Sequence, residues 1–157
     1  MTPADIDIES VARDLHQAAV AATPEWVQGC IAQVTVRQGI AWPDDADVWV
    51  ESAVERAVAF VDTQLGDLLG TDIDQQRTTP LSIFRDAVRF PVEVLHQIGA
   101  EPAHRGDMSR WAFPNDPFGI TPGNLADVGA TVSTAGVMWG AAKAGLHLSR
   151  RRAEGLY

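Results

Sequence analysis

Apolar residues recur every three or four positions along most of the chain, the period of a helix with one buried face. Over residues 3–22 the stripe runs through Ile8, Val11, Leu15, Ala18 and Ala22, and over 24–38 through Val27, Cys30, Ile31 and Val34. The longest stripe covers 45–69, with Val50, Val54, Ala57, Val58, Val61, Leu65 and Leu68. A fourth runs over 80–98 through Leu81, Phe84, Val88, Leu95 and Ile98. A short fifth helix is expected over 122–128 and a last one over 132–151. No stretch sustains the two-residue alternation of a strand. The nearest, Val34-Thr35-Val36, is short and embedded in a helical stripe.

Start and stop signals support the same division. Thr-Pro occurs at Thr2-Pro3, Thr23-Pro24, Thr79-Pro80 and Thr121-Pro122. Threonine caps exposed helix N–H groups, and proline suits the first helical turn, where its missing N–H costs nothing. Gly39, Gly70, Gly99 and Gly129 stand where apolar stripes run out, the usual place for a C-terminal glycine. Pro91 falls inside the fourth stripe, so that helix must kink or restart there. The expectation is an all-α, bundle-like single domain over 1–157, with five to six helices and a long ordered loop at about 100–120. The polar segment 71–78 is the place where a seam could fall.

Composition narrows the function classes. The chain has 157 residues, enough for one proper core, and its formal net charge is −9. The acidic excess is confined to one half: residues 1–74 hold 14 acids against 3 bases, and 75–157 hold 7 against 9. An acidic protein is repelled by phosphate backbones, which disfavours nucleic acid as a partner. A single cysteine excludes an intramolecular disulfide framework and fits a reducing compartment. The first residues carry no basic and apolar leader pattern, and the most membrane-like run, 132–148, is short and interrupted by Lys143 and His147. A cytoplasmic protein without membrane contact is expected.

Motifs with a specific chemistry are absent. The four histidines are dispersed, with no pair four residues apart on a helix face, and Asp72 and Asp74 lack the rest of a calcium loop. No phosphate-binding glycine loop and no G-x-S-x-G elbow occurs. No metal and no cofactor is expected. Cys30 sits on an apolar helix face and reads as a small buried hydrophobe.

Three regions remain as candidates. The 100–120 loop carries His104, Asp107, Arg110 and Trp111, polar and aromatic variety suited to lining a small-molecule site, or alternatively a structural lid. Arg85, Arg89 and Glu93 recur every fourth residue near Pro91, as an anion site or as a surface charge ladder. In the last helix Gly136, Gly140 and Ala144 form a stripe of small residues flanked by Trp139, permitting close approach of another helix in the core or across a subunit seam. The leading expectation is a non-enzymatic interaction or regulatory protein that forms a homo-oligomer, a homodimer in the simplest case. The alternative is a small-molecule binder or an enzyme with its site under the 100–120 loop. No motif decides whether the chain catalyses a reaction.

Overall fold

A computed structural model describes residues 7–71, 78–102 and 115–155. Among these the protein is all-α, with no strand: α1 spans Ile8–Gln38, α2 Ala46–Gly70, α3 Pro80–Ala87, α4 Arg89–Gln97 and α5 Ala130–Ala153, with a 3-10 turn at Leu125–Asp127. Since α3 and α4 are separated only by Val88, the described residues form four helical rods and one short turn. That is slightly fewer than the expected five to six helices. The reason lies at Thr23-Pro24.

α1 is one helix of 31 residues and runs straight through Pro24. The proline removes one N–H, and an interior proline costs about 3 kcal/mol or more. Packing on both sides offsets that cost, because Ala19, Thr23, Trp26, Val27 and Cys30 bury one continuous stripe across the proline. Thr23 does not cap a new helix. It is fully buried, and its hydroxyl donates to the Ala19 carbonyl at 2.7 Å. Two of the expected helices are therefore one.

The other signals divide by local chemistry. Gly39 and Gly99 take left-handed φ values of 62° and 81°. Each ends its helix with paired backbone bonds, Gly39 N–H to Val36 and Ile40 N–H to Thr35, and Gly99 N–H to His96 and Ala100 N–H to Leu95. Thr79-Pro80 starts α3 as expected, with Thr79 and Ser82 exchanging a capping box. Gly70 instead remains inside α2 as its last residue, and Gly129 precedes α5 in extended backbone at φ 174°. Thr121-Pro122 starts no helix, because Thr121 is tied to Asp116 and the turn that follows is capped by Asn124. At Pro91 the helix restarts, leaving the proline in the first turn of α4, where no intrahelical N–H is needed.

α1 is the central spine, packed on α2, α4 and α5, while α2 also covers α3 and α4. The buried stripe of α2 is offset from the valine stripe read in the sequence. Ala53, Ala57, Val61 and Leu65 are fully buried, whereas Val50, Val54 and Val58 are half-buried shoulders. Phe84 anchors the middle, edge-on to Trp26 with ring centroids 5.3 Å apart.

Candidate functional site

The charge ladder on α3 and α4 is distributed among three neighbours. Arg85 donates to the carbonyls of Pro122 and Gly123 at 3.2 and 3.4 Å, bracing the segment before the 3-10 turn. Arg89 lies over the rings of Phe60 and Phe90, at 4.6 and 4.9 Å from their centroids. Glu93 pairs with Arg56 of α2 at 2.8 Å. Helical spacing puts the three on one side, but each reaches a different partner. The loop candidates His104, Asp107, Arg110 and Trp111 lie outside the described residues, as does most of the 71–78 segment.

The small-residue stripe of α5 is also divided. Trp139 is buried in the chain's own core, with Lys143 over its ring at 5.1 Å. At Gly136 the absent side chain makes room for Leu125: a Cβ there would meet the leucine's Cδ1 at 2.5 Å. Gly140 and Ala144 remain at the surface, and among the described residues nothing lies within 4 Å of where a Gly140 Cβ would stand. With them the helix exposes Val137, Met138 and Leu148, the valine 69 % exposed. The exposed positions of α5 from Ala130 to Leu148 carry no acid, arginine or lysine. Lys143 is half-exposed over the Trp139 ring and His147 is exposed beside this row, so the part of the face free of ionisable side chains is the row Val137, Gly140, Ala144 and Leu148.

Between α1 and the 119–130 segment lies a cleft of about 660 Å³. Its floor is a row along α1 formed by Glu25, Gly29 and Gln33, with Trp26 and Cys30 on the inner side. The opposite wall includes Thr121 and Asp127. Gly29 lies in mid-helix, and a Cβ at that position would have nothing within 4 Å among the described residues, so no close packing with them requires a glycine there. Such a residue costs a helix about 1 kcal/mol relative to alanine. The Glu25 carboxylate has no hydrogen bond or ion pair among the described residues. Asp127 uses one oxygen, Oδ2, to accept from the N–H groups of Gly123 and Asn124.

The wall is held from behind by Asp116, which is 2 % exposed. Its Oδ1 accepts the Phe118 N–H at 3.2 Å, and Oδ2 accepts the N–H and hydroxyl of Thr121 at 2.7 and 2.6 Å. Arg37 adds a longer bond to the Phe118 carbonyl, and the His96 ring packs on Phe118 at 5.1 Å. Burial pushes the Cys30 thiol up to about 12, and the negative charge of Asp116 adds to the effect. The cysteine is therefore a protonated, unreactive lining group.

No motif marks this cleft in the sequence. Glu25, Gly29 and Gln33 at intervals of four are the signal that could have found it, a polar row beside an apolar stripe on one helix. Asp116 and Thr121, five residues apart, look like ordinary turn residues. Among the described residues no group of three or more His, Cys, Asp or Glu side chains is placed to hold a metal ion, and no helix is long and apolar enough to cross a membrane. Among the described residues the fold is all-α, with an apolar surface row on α5 and an acidic cleft beside α1. The chain matches no family model, no curated protein and no solved structure.

Proposed function

We propose that the chain is a non-enzymatic interaction protein that pairs with a second copy of itself through the outer face of α5. The observation carrying this reading is the uncharged surface row Val137, Gly140, Ala144 and Leu148. A second copy suits it on shape and charge. A two-fold axis near Gly140 and Ala141 lays two α5 helices antiparallel, with the small residues at the crossing. Each basic end, where Arg152 is exposed, then lies toward the partner helix's start, where Asp127 is exposed. Opposed helix dipoles favour the same orientation. Gly136 and Trp139, which act inside the subunit, support the face from behind. The single buried cysteine suits a reducing cytoplasm.

The test is the molar mass of the untagged chain at 100 μM by light scattering after size exclusion. A dimer is expected, converted to a folded monomer by Val137→Asp. A wild-type monomer at that concentration refutes the reading, as does a dimer that survives both Val137→Asp and Leu148→Asp.

A further inference from the structure

The cleft between α1 and the 119–130 segment does not include the Val137, Gly140, Ala144 and Leu148 row, touches α5 only at its first residue, Ala130, and calls for its own explanation. Its volume of about 660 Å³ lies within the range of small-ligand sites. The charged groups among the described lining residues are Glu25 and Asp127, both acidic; no arginine, lysine or histidine is among them. The glycine at position 29 keeps the floor open, and among the described residues no close packing calls for it. The far wall is braced by hydrogen bonds that Asp116 accepts from Phe118 and Thr121 and that Arg85 donates to Pro122 and Gly123. A pre-formed concave site binds with less loss of order than a mobile one.

We propose that this cleft is a binding site for a small organic ammonium ion, with Glu25 and Asp127 as its counter-charges and Gly29 as the opening that admits it. Trp26, 6 % exposed and edge-on to Phe84, backs the floor from the core side. The start of α5, at Gly129 and Ala130, also borders the cleft and would favour an anion instead. The two carboxylates set the sign: each bears a full charge, against the half charge of a helix end.

The experiment is a titration of the 15N-labelled full chain at pH 7 and 150 mM NaCl, followed by amide and indole NMR signals. Putrescine is the cationic probe and succinate the anionic one. Saturable shifts with putrescine are expected at Gly29, Thr121, Gly129 and the Trp26 indole, and none that saturate with succinate. Glu25→Gln should weaken the affinity about tenfold, Gly29→Leu should abolish binding, and Glu55→Gln on α2 should leave it unchanged. Shifts that fail to saturate by 10 mM, equal weakening by Glu55→Gln, or saturation by succinate alone would each overturn the assignment. Should Gly29→Leu not fold, the comparison of Glu25→Gln with Glu55→Gln decides alone.

Discussion

Replacing Cys30 by alanine is expected to flatten the fall in stability at alkaline pH. In the unfolded chain the thiol ionises near its ordinary value of 9.0, whereas burial and the nearby Asp116 carboxylate raise it to about 12 in the folded protein. Between those values the native state holds a proton that the unfolded state has lost. A raised folded value stabilises fully below the unfolded one, and the stabilisation is lost as pH climbs toward the folded one. Each pH unit in that window lowers the folding constant about tenfold, so roughly 2 kcal/mol is gone by pH 10.5 relative to pH 7.5. The window is unusually clear of other groups, since the chain has one lysine, Lys143, and one tyrosine, Tyr157. Urea unfolding followed by circular dichroism, in reductant at pH 7.5, 8.5, 9.5 and 10.5, measures the effect. The alanine variant should start about 1 kcal/mol less stable, because a buried sulfur no longer fills its place in the core. It should draw level soon after pH 9.5 and be the more stable protein at pH 10.5. A difference that stays constant over the series would show that the buried thiol is not what couples folding to alkaline pH.

Asp116→Ala should cost about 3 kcal/mol in urea unfolding, because two N–H groups and a hydroxyl lose a charged acceptor in a buried wall. Faster hydrogen exchange at the Phe118 and Thr121 amides would locate the damage. Phe84→Ala should cost about 3–5 kcal/mol by opening the centre of the core, with a red shift of Trp26 fluorescence as water enters. The Arg56–Glu93 pair should couple by less than about 1 kcal/mol in a double-mutant cycle and weaken with salt, since its side chains are 45 % and 50 % exposed.

Hydrophobic spacing and cap signals alone determined the all-α class, the span of α2, the start of α3 at Thr79-Pro80 and the helix stops at Gly39 and Gly99. These depend on interactions within a few residues, between a cap and its own backbone or along one helix face. The identical dipeptides Thr23-Pro24 and Thr121-Pro122 depended on tertiary structure. The first lies within a stripe of α1 that is buried on both sides of the proline, with Trp26 against Phe84, so packing outweighs the proline's local preference. The second is captured by the Asp116 carboxylate, and its threonine is no longer available as a cap.

The candidate sites separate in the same way. That Arg85, Arg89 and Glu93 share a helix side was readable from their spacing. Their pairing with the 122–123 carbonyls, Phe60 and Arg56 was not, because those partners come from distant segments. Likewise the small-residue row on α5 was visible in the sequence, but only the packed fold assigned Gly136 and Trp139 inward and left Gly140 and Ala144 outside. The acidic cleft owes its existence to tertiary structure altogether. Glu25 and Asp127 are about a hundred residues apart in the chain. A helix period relates residues on one element and carries no information about which element will face it.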